Sequence, residues 1–165
     1  MMIMVGALSF KGNAQAYDGY GDAKITYGVS YHDAGKIGIV YTRTYGISDI
    51  FSLGAIAGVV FDNRFGELLE NPDHLEAAVL FRFNGANLTN TPKLNLHADL
   101  SAGIFRISAL AGVTYMWSEK TGIDFSLSVP LMNKSLLKTF NENLYPDRSA
   151  FAKPYAGLGF VINVL

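Results

Sequence analysis

His97, Asp99 and Ser101 are the residue types a hydrolase sets to work: an imidazole base, a carboxylate to orient it and a hydroxyl nucleophile. Their alternate spacing places all three on one face of a β-strand. Along such a face, residues i and i+2 stand about 6.6 Å apart, whereas a catalytic relay needs partners at about 2.6–3.2 Å. The triad therefore reads as polar groups lining a strand rather than as a nucleophile with its base. Two further pairs, His32-Asp33 and Asp73-His74, carry metal-binding types. They lack the spacing that brings several ligands to one point, and they read as loop residues. Cysteine is absent, which excludes thiol nucleophiles, disulfides and Cys-ligated zinc or iron–sulfur sites. Gly19-Tyr20-Gly21 and Gly157-Leu158-Gly159 lack the helix a nucleotide loop requires, and no Gly-x-Ser-x-Gly or Walker pattern occurs. No catalytic, cofactor-binding or metal residue is assigned, and no cofactor is expected.

The elements carrying these residues alternate with period two from Asp22 onward, the mark of strands with one apolar face. In the first segment Ile25, Tyr27, Val29 and Tyr31 oppose Lys24, Thr26, Gly28, Ser30 and His32. The second is Ile37–Tyr45, where Arg43 falls on the parity of Ile37, Ile39 and Tyr41. A β-bulge would resolve that conflict. The remaining segments are Ile50–Phe61, Leu75–Asn84, Leu94–Ile104, Ile107–Trp117, Ile123–Leu131 and Tyr155–Val164. Most approach the 9–11 residues of a tilted membrane strand.

Among the 165 residues, 50% are hydrophobic and 16% charged, against about 25% charged in an ordinary soluble domain. One domain fits the length, and disorder does not fit the composition. With 13 Lys+Arg against 14 Asp+Glu, nothing offers the basic footprint that nucleic acid requires. No apolar stretch approaches the roughly 20 residues of a membrane helix, so this chain can enter a bilayer only as a closed barrel. Met1–Phe10 is apolar and is followed by Ala14-Gln15-Ala16. That order predicts a signal peptide over residues 1–16, with its basic start missing, and a barrel over residues 17–165.

Which face points outward follows from the second face, built of small residues with the scattered charges Lys24, Glu76, Arg82, Asp99, Asp124 and Lys153. A water-facing exterior carries about 25–35% charge. The apolar face is therefore expected outside, and the small polar face inside. Lys24, Glu76, Arg82, His97, Asp99 and Asp124 are expected to form a lumen network, because an isolated buried ion is costly. Glu76 lies too far along its strand to reach Arg82, so Arg82 must draw on a neighbouring strand. Asp99, on the fifth segment, is the nearest acid in number on a neighbouring strand. Tyr45, Phe51, Phe83, Tyr115 and Trp117 fall at one end of their segments and read as an aromatic girdle. The fold expected is all-β, an eight-stranded antiparallel up-and-down transmembrane barrel. The long connections Asp62–His74 and Met132–Ala150 lie outside, and Leu136, Leu137, Phe140 and Leu144 make one helical face in the second.

The chain ends on a strand, Gly157-Leu158-Gly159-Phe160-Val161-Ile162-Asn163-Val164-Leu165. This resembles the terminal strand read by the assembly machinery of Gram-negative outer membranes, except that Leu165 stands where an aromatic is usual. Together with the Asn-Ala-Gln-Ala processing site, Tyr17–Leu165 resembles small, functionally uncharacterised eight-stranded outer-membrane β-barrel proteins of Gram-negative bacteria. The resemblance implies a cell outer membrane location, contact with outer-membrane lipid, passage through the barrel assembly machinery and a monomer. It also implies a non-enzymatic role, structural or presenting outer loops. A porin-like open channel is not expected, since eight strands leave an interior just filled by side chains. A soluble lipocalin-like carrier and a lipid-modifying outer-membrane enzyme are the alternatives.

Overall fold

The computed structural model describes residues 15–61, 75–89, 91–104, 106–132, 151 and 153–164. Its strands are β1 (Ala23–Tyr31), β2 (Ile37–Gly46), β3 (Phe51–Phe61), β4 (Leu75–Asn84), β5 (Leu94–Gly103), β6 (Ile107–Met116), β7 (Thr121–Met132) and β8 (Tyr155–Asn163). Each pairs antiparallel with the next, and β8 returns to β1 to close the barrel. Closure leaves no sheet edge with unpaired backbone groups. Among the described residues no helix is long and apolar enough to cross a membrane.

The register fixes the stagger. Lys24 stands opposite Thr44, Thr44 opposite Gly54, Gly54 opposite Leu80, Leu80 opposite Ser101, Ser101 opposite Ser108 and Ser108 opposite Pro130. Continuing the registers of the last two pairings leads to position 153 and back to position 34 of the first strand's path, ten residues above Lys24. Such a stagger tilts the strands by roughly 35–45° and narrows the interior until side chains fill it.

Both four-residue turns at the end nearer the termini use the same device. Ser48 Oγ accepts from the Phe51 amide at 3.0 Å, and Ser118 Oγ accepts from the Thr121 amide at 2.9 Å. A serine hydroxyl here replaces a ladder partner just where the ladder reverses.

Outward positions carry the large apolar side chains. Val79 is 67% exposed, Leu100 52% and Leu127 51%. Inward positions hold Lys24, Ser30, Ser52, Glu76, Asn84, Asn95, His97, Asp99, Thr114 and Asp124, all buried. The lumen is less polar than the sequence pattern implies. Ile56, Ala78 and Leu80 form an apolar cluster within it, and Val60 packs against Phe151 and Tyr155.

Two expectations are corrected. No bulge interrupts β2: its register with β1 and β3 is continuous, and Arg43 stays on the outward face, opposite Ile25 and Ala55. The ladder's backbone bonds hold that parity against the one misplaced charge. Lys153 is not an inward strand residue. It precedes β8, lies exposed and donates to Asp33 at 2.7 Å. The expected loop features at Asp62–His74, with Asp73 and His74, and at residues 133–150, with Leu136, Leu137, Phe140 and Leu144, lie outside the described residues. So do residues 1–14 and Leu165.

Candidate functional site

The charged side chains collect at three heights inside the barrel. At the middle height Arg82 and Asp99 face each other in register across β4 and β5. Arg82 Nε and Nη2 donate to the two carboxylate oxygens of Asp99, each at 2.8 Å. That fork-to-fork geometry is the strong form of a charge-assisted bond. His97 stands between two acids, its Nδ1 3.2 Å from Asp99 Oδ1 and its Nε2 2.9 Å from Asp124 Oδ1. Thr114 Oγ1 donates to the same Asp124 oxygen at 2.6 Å. The imidazole fits because Gly112 lies opposite it: a Cβ there would come within 2.6 Å of the ring. Beside Arg82, Asp99 and Asp124 lies a cavity of about 40 Å³, room for two or three waters and for no larger ligand.

Toward the termini, Asn95 donates to Asn84 at 2.9 Å, and Asn84 donates to Ser52 at 2.8 Å. Below them the segment leading into β1 closes the mouth. The Tyr17 hydroxyl lies 2.6 Å from the carbonyl of Ser48 and 2.8 Å from that of Phe51. Lys24 pairs with Asp22 at this height and lies over the Tyr17 ring. Burial raises the Tyr17 hydroxyl above its usual pKa. It also raises Asp22, outweighing the attraction of Lys24. Ala16 packs against Met116 and Val161, and its amide donates to the Pro92 carbonyl at 2.8 Å.

At the opposite end Arg106 turns inward from the corner between β5 and β6. Its Nε lies 3.5 Å from Glu76 Oε2, its Nη1 donates to the Phe151 carbonyl, and its Nη2 reaches the Tyr155 hydroxyl at 3.3 Å. The guanidinium sits 5.3 Å from the Phe151 ring centre and 5.0 Å from that of Tyr155, within cation–π range. His32 stacks on Tyr155 at 4.7 Å, meets Phe151 edge-on at 4.9 Å and bonds Ser30 at 2.8 Å. Phe151 reaches the axis over Gly58, where a Cβ would meet its ring at 2.9 Å.

The six charged or imidazole residues picked from the sequence are thus all buried or half-buried inside, but not as one network. Arg82, His97, Asp99 and Asp124 come together, while Glu76 joins Arg106 and Lys24 joins Asp22. Spacing along the strand underestimated one contact, since His97 and Asp99 lean together into hydrogen-bond range. No triad results: the second imidazole nitrogen faces Asp124, and Ser101 Oγ lies 3.4 Å from the Ser108 carbonyl. Among the described residues no three His, Asp or Glu are placed to hold a metal. His32 is buried in the aromatic cluster instead of lying exposed in a loop. Asp22, Arg106 and Phe151 were not read from the sequence, because they sit at turns where alternation stops. Tyr45, Phe51, Phe83, Tyr115 and Trp117 all lie on the outside at the terminus-bearing end. Phe51 packs on Phe83 at 5.8 Å, and Trp117 packs on Phe160 at 5.8 Å.

Residues 7–143 match DUF6646, a family of unknown function. The chain belongs to that family. No curated protein sequence matches it. Several solved structures share its fold. One described as "De novo design of transmembrane beta-barrels" superposes with a TM-score of 0.60 at 12% identity, covering 90% of this chain and 99% of that one. A second designed barrel, TMB2.3, gives 0.58 at 16% identity, covering 90% and 98%. The N-terminal β-barrel domain of Pseudomonas aeruginosa OprF gives 0.57 at 16% identity, covering 88% and 99%. At these identities the likeness is one of fold: a closed eight-stranded antiparallel barrel of the kind transmembrane barrels adopt.

Proposed function

We propose that this protein is a non-enzymatic outer-membrane barrel of a Gram-negative cell, structural or presenting its outer loops to a partner. The observation that carries the reading is the inverted polarity of the wall. Large apolar side chains stand outside on every strand, and polar and charged groups are gathered inside. A soluble monomer rarely exposes an apolar patch beyond a few hundred Å², whereas a barrel in lipid needs an apolar band flanked by aromatic rings. The soluble-carrier alternative requires the reverse polarity and a roomy lumen, while the cavity beside Arg82 holds only a few waters. The ion pairs at three heights support a plug that strengthens the wall. The lipid-modifying alternative is not favoured, because both described partners of the His97 ring nitrogens are carboxylates, Asp99 and Asp124.

Export by a leader ending at Ala16, assembly by the outer-membrane machinery, lipid contact around the wall and a monomeric state belong to the same proposal. Membrane fractionation with heat-modifiable gel mobility tests it: the folded chain should sediment with outer membranes and migrate differently before and after boiling. Recovery as a detergent-free monodisperse protein would overturn it. Sequencing the mature N-terminus tests the leader boundary, which the packing of Ala16 makes informative. Assays on lipid A test the absence of enzymatic activity.

A further inference from the structure

Among the described strand residues, Arg43 is the one ionised side chain on the outward face. It is exposed, and its side chain joins no hydrogen bond or ion pair with another described residue. Its cross-strand neighbours, Ile25 and Ala55, offer no acceptor. Above it the rings of Tyr27 and Tyr41 pack on each other, 5.3 Å between centres, and fill the face toward the barrel middle. Below it, two residues nearer the turn, lies Tyr45 of the aromatic girdle. Two residues are roughly 6.6 Å along a strand, within the reach of an arginine stem laid along apolar surface to bring its head to the interface. Beside that path the small Ala55 stands level with Arg43, and Leu53 stands level with Tyr45.

A guanidinium delivered to headgroup depth, with no acceptor among the described residues, matches a phosphodiester better than any other group present there. Its planar fork fits phosphate oxygens two at a time. We propose that Arg43 is a phospholipid-headgroup site, holding the phosphate of one lipid in the leaflet around the terminus-bearing end of the barrel. The inference rests on the membrane reading above and adds to it a defined lipid contact.

The full chain in maltoside micelles is titrated with phosphatidylglycerol and, separately, with diacylglycerol of the same acyl chains. Bound lipid is counted by native mass spectrometry. The parent should retain phosphatidylglycerol about fivefold more strongly than Arg43→Gln, the size expected for one basic residue at a lipid surface. Arg43→Lys should fall between them. Lys153→Gln, which removes a positive charge at the opposite rim, should bind as the parent does. Diacylglycerol should bind weakly and equally to all four. Equal phosphatidylglycerol retention by the parent and Arg43→Gln would overturn the inference, as would diacylglycerol binding as tight as phosphatidylglycerol. Displacement of the lipid by millimolar inorganic phosphate would assign the site to a free anion and overturn the headgroup assignment. Should Arg43→Gln fail to fold, the parent's preference between the two lipids and the Arg43→Lys titration still decide. Failure of the membrane reading is separable, because the chain would then stay monodisperse without detergent.

Discussion

Truncating Arg82 isolates the energetics of the lumen. The Arg82 side chain is 11% exposed and that of Asp99 1%, and they meet through two bonds of 2.8 Å. Arg82→Ala leaves Asp99 facing only His97. Removing one partner of a buried pair typically costs about 3–5 kcal/mol, since the remaining charge has lost water and partner together. At about 1.4 kcal/mol per factor of ten, as binding equilibria are scaled, the folded-to-unfolded ratio falls by roughly two to three and a half orders of magnitude. Asp99→Ala should cost more than Asp124→Ala, because Asp99 serves both Arg82 and His97 while Asp124 serves His97 and Thr114. The double variant Arg82→Ala/Asp99→Ala should cost less than the sum of the singles by about 1–3 kcal/mol. The assay is reversible urea unfolding in lipid vesicles, followed by fluorescence of Trp117, the one tryptophan in the chain. A single-variant cost below about 1 kcal/mol, or strict additivity, refutes a coupled buried pair. Planar-bilayer recordings address the other use of an inward arginine. If Arg82→Ala matched the parent's stability and opened a steady conductance, Arg82 would be a gate and the sealed-plug account would fail.

Other outcomes follow from the same geometry. Leu100→Arg, near mid-strand and 52% exposed, should cost about 2–4 kcal/mol in the same unfolding assay. Trp117→Arg, at the girdle, lacks the one tryptophan, so both variants are followed by far-ultraviolet circular dichroism; it should cost only about 0–1 kcal/mol in charge penalty, and equal penalties would remove the case for a membrane band. Gly112→Ala places a methyl 2.6 Å from both the His97 ring and the Phe125 carbonyl oxygen and should cost about 1–3 kcal/mol as an overpacked site. The loss should shrink in a His97→Ala background. Single cysteines at Ile25, Phe81, Leu100, Leu127 and Phe160 should resist water-soluble thiol reagents in intact membranes, and ready labelling would reverse the orientation of the wall.

The strands were legible because their two faces meet different media, so each position votes for one face and the votes agree over nine or more residues. Arg43 shows how firmly they agree: a single contrary residue does not move the register, because shifting by one position would turn Ile37, Ile39, Tyr41 and Tyr45 inward. Which strand residues face the lumen was legible for the same reason, whereas Lys153, read as inward, precedes β8 and lies exposed. Partnership was not, since the meeting of Arg82 with Asp99 depends on the cross-strand register, which turn geometry sets and alternation does not report. Lys24 and Glu76 illustrate the gap, for both point inward as read, yet their partners Asp22 and Arg106 lie at turns outside the alternating runs. His32 was placed at the end of the first segment's inward face but also read as a loop residue, because it follows the last outward residue of β1, Tyr31, and adjoins Asp33. The aromatic rings that bury it come from Phe151 and Tyr155, more than a hundred positions later, and nothing near His32 in sequence announces them.

The arrangement by height bears on what the lumen can do. Asp22 faces Lys24 at one mouth, Glu76 faces Arg106 near the other, and at the middle Arg82 and His97 face Asp99 and Asp124. Both His97 nitrogens approach carboxylate oxygens, and an imidazole donates from both only when it carries a proton on each. In that state every height holds as many bases as acids. Such a stack offers a passing ion no net fixed charge to concentrate it at any depth, unlike the single-sign rings by which pores select. Each charge also stands in an ion pair, so an entering ion would compete with a buried pair. The same pairs connect facing or nearby strands: β4 to β5 through Arg82 and Asp99, and β5 to β7 through His97 and Asp124, across the β6 strand that supplies Thr114 and Gly112. Arg82–Asp99 and His97–Asp124 thus tie strands together, while Lys24 and Asp22 pair locally at the start of β1.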